Sequence, residues 1–457
     1  MTAVRERDKG GQPRPNEQQA HPGHISGLEK LNDEESRHRF QTLSQRLAIG
    51  LKRHGRPTTA DGGLLAIQTG IAILRPEIWK AIPDQTTVPV VEFGGTKLKL
   101  FRVTKTDGSL VKERVYDTDF AQDERQMTFD AFITTIASPL ADTTTPDDHH
   151  NINFGVSLAF PQINIPTRYG VEAELLSEDG KLTKEWQITD WEEEGVQRNI
   201  VQAIQEKLGI TNGVGIVTND TPGVTLDVAA AMRADREGFE ALRGGIVGGS
   251  GINGAVSLNK GIINTEIGQA PWEDDQVAKR MRERLIKKGI LQEKDDKPIM
   301  EHELGQYLPL RLAAVFDLLQ EQGLYRQDLP DIIESAAREN QTLMSDLAAG
   351  KHALTGDGDI DKALTLYANI ILTRAAQVYG ILAATIAEPV LALKKTDKPA
   401  ALLTEGSALL NGYGLKSGAE QEAERLLGQK ITLYPASSTD GIAALTMSWN
   451  ELQKIRH

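Results

Sequence analysis

Residues 215 to 224 read Gly-Ile-Val-Thr-Asn-Asp-Thr-Pro-Gly-Val, an apolar run that stops abruptly on a carboxylate. Ile216 and Val217 suit a buried strand, and Asn219-Asp220-Thr221-Pro222-Gly223 cannot extend it. Asp220 is thereby placed at a strand end, where α/β proteins build their sites. The same residues alone also read as an ordinary polar turn. The rest of the chain separates the two readings.

At 457 residues the chain exceeds what one hydrophobic core fills, so two lobes are expected. The 51 basic and 64 acidic residues give a net charge of -13, which opposes nonspecific binding to nucleic acid or to anionic membrane. Any phosphate site must therefore be local. With no cysteine there are no disulfides, thiolate metal sites or cysteine nucleophiles, which fits a reducing compartment. Residues 1–25 are polar and lack the apolar core of a signal peptide, so a disordered tail and a cytoplasmic location are expected. The apolar stretch Leu364 to Leu393 is interrupted by Arg374, Gln377 and Glu388, which predicts a buried helix and no membrane span.

Phe40, Leu43, Leu47 and Leu51 follow a capped start at Asn32-Asp33 with helical spacing. Val88 to Val103 predicts a hairpin turning at Glu92-Phe93-Gly94-Gly95-Thr96. A strand from Val111 to Tyr116 and a helix around Met127 to Ile136 come next. Asn153 to Phe160 reads as a strand, Val171 to Ile188 as a hairpin, and Gly195 to Leu208 as a helix leading back to the Asp220 strand. Gly244 to Val247 is a strand entering Gly248-Gly249-Ser250-Gly251-Ile252-Asn253, and Val256 to Ile263 continues toward Asn264-Thr265-Glu266. Helical periodicity covers Leu308 to Gln322, Asp328 to Arg338 and Ile360 to Glu388. A last strand, Ala400 to Leu403, meets Thr404-Glu405-Gly406-Ser407; a helix, a strand at Lys430 to Leu433 and a terminal helix opening at Ser438-Thr439-Asp440-Gly441 close the chain.

Glycine turns at Gly94, Gly249, Gly406 and Gly441 let backbone N–H groups approach phosphate oxygens, with a hydroxyl within two residues of each. Glu92 and Glu405 end apolar runs in related contexts far apart in sequence, and both suit the waters of a magnesium ion. Lys99 can neutralise a phosphate or stand solvated on its strand. No Gly-x-x-x-x-Gly-Lys-Ser/Thr loop occurs, which excludes a P-loop enzyme.

In order, Glu92-Phe-Gly-Gly-Thr-Lys-Leu-Lys, Gly155-Val-Ser-Leu-Ala-Phe-Pro, Asn219-Asp220-Thr221, Gly249-Ser-Gly-Ile-Asn253, Asn264-Thr-Glu266, Thr373-Arg-Ala-Ala, Glu405-Gly-Ser and Ser438-Thr-Asp-Gly form a series that resembles the hexokinases of the actin-like sugar-kinase superfamily. The resemblance runs from Asn32 to the C-terminus. It implies a two-lobed α/β (ribonuclease-H-like) fold with a cleft between a large lobe (residues 26–87 and 222–443) and a small lobe (88–221 and 444–457). It implies an ATP- and Mg2+-dependent hexokinase, a monomer or homodimer, acting on the 6-hydroxyl of a hexose, glucose foremost. Asp220 would be the general base. Ser157, Thr183, Lys184, Asn219, Asn253, Glu266 and Glu301 would hold the sugar, with Glu303 an alternative to Glu301. Gly94, Gly95, Thr96, Lys99, Thr221, Gly249, Ser250, Glu405, Gly406, Ser407 and Gly441 would face the nucleotide, and Glu92 the metal. Glu92 and Glu405 stand where the family has aspartate, which motivates a rival reading as a non-catalytic sugar sensor.

Overall fold

The computed structural model describes residues 25–52, 62–95, 97–121, 123–143, 149–176, 186–193, 196–249, 251–258, 261–289, 291, 299–325, 328–394 and 398–456. Of the sequence readings, the tail at residues 1–25 (up to residue 24) and Thr96, Thr183, Lys184 and Ser250 lie outside the described residues.

α1 (Asp33–Lys52) carries acidic residues in its first turn, which suits the positive end of a helix dipole, and buries Phe40, Leu43 and Leu47 along one face. β1 (Ile67–Gln68) and α2 (Pro76–Ala81) follow. β2 (Thr87–Phe93) and β3 (Lys97–Thr106) make the predicted hairpin, and β4 (Ser109–Asp119) extends it at the sheet edge. After the short β5 (Gln126–Thr128) come α3 (Phe129–Asp142), β6 (Phe154–Leu158), β7 (Gln162–Thr167) and β8 (Gly170–Leu175). β9 (Gln187–Thr189), β10 (Glu192–Glu193), β11 (Val196–Gln197), α4 (Ile200–Leu208) and β12 (Gly215–Asn219) complete this half. Its main sheet has seven strands in the order β4-β3-β2-β6-β12-β8-β7, with β2, β6 and β12 parallel at the centre.

The second half starts with α5 (Asp220–Thr225), α6 (Val228–Arg236), β13 (Glu240–Gly248), β14 (Ile252–Leu258) and β15 (Gly261–Asn264). Helices α7 (Gln276–Lys287), α8 (Leu308–Glu321), α9 (Leu329–Glu339), α10 (Leu343–Ala348) and α11 (Gly358–Lys394) follow. β16 (Ala400–Glu405), α12 (Ser407–Asn411), α13 (Leu415–Leu427), β17 (Ile431–Pro435) and α14 (Ser438–Arg456) end the chain. The second sheet has six strands in the order β1-β15-β14-β13-β16-β17.

Two strand readings are corrected. Val171 to Ile188 is not a hairpin: β8 turns back on β7, and β9 pairs with β5 instead. Gly170, at φ 138° and pressed against the Gly215 carbonyl, makes the earlier tight turn. Val256 to Ile263 is not one strand but the β14/β15 hairpin, because apolar residues on both sides of the turn read as one continuous run.

One face of the seven-stranded sheet is covered by α3 and α4 over an aromatic core, where the Phe93 ring lies 4.7 Å from Trp186 and 5.1 Å from Phe132 between centroids. The other face is covered by α14, through Ile442, Leu445 and Trp449 against Val90 and Ile216. α11 lies against the six-stranded sheet, and its most apolar window is 89% buried, so it is a core helix of this fold.

α14 sits on the first sheet while α5 leads from β12 into the second half, and the two helices cross at Gly223 and Gly441. A Cβ at Gly441 would fall 1.9 Å from the Gly223 carbonyl oxygen. Gly441 is thus a packing glycine inside α14, its N–H bonded to the Ser437 carbonyl, and the phosphate-turn reading of it is corrected. Gly441→Ala is expected to lower unfolding stability by about 1–3 kcal/mol through overpacking. Urea titration checks this against Gly358→Ala, whose added methyl group meets nothing and should be neutral.

Candidate functional site

Asp220 opens α5 at the end of β12. The sequence reads as a turn there, but proline is tolerated in the first turn of a helix, and Asn219 caps it: Asn219 Oδ1 accepts from the Thr221 N–H at 3.1 Å. Asn219 Nδ2 donates to the carbonyls of Leu158 (3.2 Å) and Phe160 (3.0 Å). Through these bonds Asn219 braces the start of α5 and so the position of Asp220. Thr221, fully buried, donates through Oγ1 to Asp220 Oδ1 at 3.1 Å and so steadies the carboxylate.

Ser157 is buried in β6, paired in register with Glu92 of β2 on one side and Thr218 of β12 on the other. Register neighbours share a face, so Glu92, Ser157 and Thr218 form one row just below Asp220. Lys99 Nζ donates to Glu92 Oε1 at 3.0 Å. Across the cleft Glu405, at the end of β16, accepts from the Ser438 N–H at 2.9 Å and so holds the start of α14. Burial pushes the Glu405 carboxyl up to about 7, and the Glu92 and Asp220 carboxylates add to the effect against the Ser438 hydrogen bonds. Three acids contributed by β2, α5 and β16 therefore share one neighbourhood.

Among the described residues no three acidic or histidine side chains stand close enough to ligate an ion directly. That donor set fits magnesium held through its own waters and a nucleotide's phosphates, the usual manner of this ion. The glycine turns are less open. The Gly94 N–H is closed onto the Lys97 carbonyl (2.8 Å) and the Gly249 N–H onto that of Gly251 (3.0 Å), and the Gly95 carbonyl accepts from Trp186 Nε1 (3.0 Å). Gly406, at φ 121°, precedes Ser407 at the start of α12 and approaches the Gly248 backbone so closely that a Cβ would lie 2.1 Å from its oxygen.

The second sheet also carries a polar cluster, in register with Glu405 through Val247. Asn253 Nδ2 donates to Asn264 Oδ1 (2.8 Å) and to Glu266 Oε1 (3.1 Å), and Asn264 Nδ2 donates to the same Glu266 oxygen (2.7 Å). Glu266 itself has left-handed backbone, φ 44° and ψ 37°, which a glutamate adopts only when its surroundings hold it there. Glu301 accepts from Gln269 Nε2 at 3.0 Å, and a Cβ on Gly251 would lie 3.0 Å from Glu301 Oε1. Glu303 is different: it is buried between Arg374 (3.0 Å) and Arg311 (3.4 Å), whose charges outweigh burial and hold its carboxyl well below the usual range. Arg374, from the Thr373-Arg-Ala-Ala segment, joins this network with Asp275 (3.1 Å). Sequence reasoning passed over Asn264 as a site residue, although its strand spacing from Glu266 carries the signal.

No protein-family model and no curated protein matches the sequence. Solved structures do match the fold. A hexokinase crystal structure superposes with a TM-score of 0.70 at 15% identity, covering 94% of this chain and 98% of that one. The hexokinase from Schistosoma mansoni complexed with glucose gives 0.68 at 17%, covering 92% and 96%. The class is therefore the two-lobed actin-like α/β fold. Within it, the fold is similar to that of these two solved hexokinases.

Glu405 has a consequence for stability. Its carboxyl titrates near 7 in the folded protein against an ordinary 4.5, so between these values the native state holds a proton that the unfolded chain has released. Stability from this group is present below about pH 4.5 and is lost as pH rises toward 7. Asp227, pushed up to about 6 by burial and by Asp440, acts in the same direction. Glu405→Gln should therefore flatten, without abolishing, the fall in melting temperature between pH 5 and 8. Thermal melts across that range check it, and an unchanged slope refutes it.

Proposed function

We propose that this protein transfers the γ-phosphoryl group of MgATP to the 6-hydroxyl of a hexose, glucose foremost. The observation that carries the reading is the placement of Asp220. It is braced by Asn219 and Thr221 at a strand end, beside Glu92 and Glu405 and within a fold whose other lobe presents Asn253, Asn264 and Glu266. Amides and carboxylates of this kind suit vicinal hydroxyls, because together they donate and accept.

In the reaction the Asp220 carboxylate takes the hydroxyl proton as the sugar oxygen bonds to phosphorus and the bond from phosphorus to the bridging oxygen of ADP breaks. Magnesium, when bound with the nucleotide, would neutralise phosphate charge, with Glu92 and Glu405 as the residues to hold its waters. Asn253, Glu266 and Glu301 orient the sugar. Closure of the cleft excludes water, a competing acceptor.

A sugar sensor on the same fold is the second reading. It is favoured by Glu405, whose carboxyl is protonated up to about neutrality, and by Glu92, which is already paired with Lys99. A coupled ADP-release assay across several hexoses with MgATP separates the two: turnover is expected on glucose, and hexose binding without turnover hands the case to the sensor. Asp220→Asn is expected to reduce turnover by about two orders of magnitude or more while leaving hexose affinity within several-fold. Near-normal turnover in that variant would remove Asp220 from the chemistry.

A further inference from the structure

Gln162, the first residue of β7, is 1% exposed, and neither its Oε1 nor its Nε2 has a hydrogen-bond partner. Buried amides are almost always paired, because leaving donor and acceptor desolvated and unmade is costly, so an orphaned one asks for a reason. Its position supplies one. Two residues along β7, Asn164 donates through Nδ2 to the Val217 carbonyl at 2.7 Å and accepts from Thr218 Oγ1 at 3.3 Å, so Asn164 is abreast of Thr218.

β7 runs antiparallel to β8 and β8 parallel to β12, so β7 and β12 run in opposite directions. Stepping back from Asn164 to Gln162 therefore covers the same ground as stepping forward from Thr218 to Asp220. Strand alternation keeps Gln162 on the same side of β7 as Asn164, whose side chain is bonded to Thr218 of the row below Asp220. β7 is also where this sheet meets the other half of the molecule: a Cβ on Gly70 would lie 3.1 Å from Pro166 Cδ, and nearby Ile67 pairs with Asn264. The unpartnered amide thus lies level with the candidate base, on the strand that adjoins the polar wall.

We propose that Gln162 is a specificity-determining residue of the sugar site, its amide hydrogen-bonding a ring hydroxyl of the hexose near the reacting hydroxymethyl group. This rests on the hexose-kinase reading above and goes beyond it, since it assigns recognition to a residue outside the wall formed by Asn253, Glu266 and Glu301. An amide both donates and accepts, so it suits a hydroxyl better than a carboxylate or a methyl group would. A site that hydrogen-bonds one hydroxyl discriminates strongly against analogues that lack it.

The test is Gln162→Leu in the full chain, with glucose and a set of glucose analogues each lacking one hydroxyl, binding being read by calorimetry without nucleotide. The variant should melt no lower than the wild type, because two unmet polar groups are removed, and its glucose affinity should fall by about 10- to 100-fold. One analogue that binds weakly to the wild type should show no further penalty in the variant, which identifies the hydroxyl. If Gln162→Leu does not fold, Gln162→Met, which keeps the unbranched shape, is measured in the same way. Wild-type protein that binds glucose with an affinity and analogue ranking shared by the variant overturns this inference and leaves the proposed function standing. Wild-type protein that binds no hexose overturns both.

Discussion

The close approach of α5 and α14 through Gly223 and Gly441 is the contact on which the site depends. Two helices meet backbone to backbone there because neither carries a side chain at the crossing. α5 begins with the candidate base at the end of one sheet, and α14 begins where a carboxylate from the other sheet receives the Ser438 N–H. The buried Asp227 reinforces the junction, accepting from the N–H groups of both Ala230 and Ser437. Asp220, Glu92 and Glu405 come from three distant parts of the chain, and this crossing brings their carboxylates into one electrostatic neighbourhood.

Gathering acids in this way raises their affinity for protons and for cations alike. Beside Glu405 in the second sheet, Asn253, Asn264 and Glu266 satisfy one another through short hydrogen bonds, so that this wall is already ordered. Preordered donors and acceptors need no reorganisation when a polyhydroxylated ligand arrives.

Much of this was legible in the sequence, for physical reasons. Ile216 and Val217 mark a strand by burial, Asp220 marks its end, and the terminal helix is announced by Ser438 to Gly441. What stayed hidden depends on long-range packing. Nothing local distinguishes Glu301 from Glu303; the difference is that Arg311 and Arg374, distant in the chain, close on the second. Nothing local says that Gly441 faces a carbonyl of Gly223 and not a phosphate. The β14/β15 hairpin was read as one strand because hydrophobic alternation does not register a turn whose flanks are equally apolar. The capping of α5 by Asn219 reads as a turn until the helix behind it is seen.

The buried network of Glu303, Arg311, Arg374 and Asp275 lies directly behind the turn that carries Glu301. Hydration of charged groups becomes less favourable as temperature rises, so the penalty for burying these four side chains shrinks on heating, while the gain from apolar burial levels off. Warming therefore shifts the balance of support within the molecule. The turn that carries Glu301 draws a growing share of its support from these ion pairs as temperature rises.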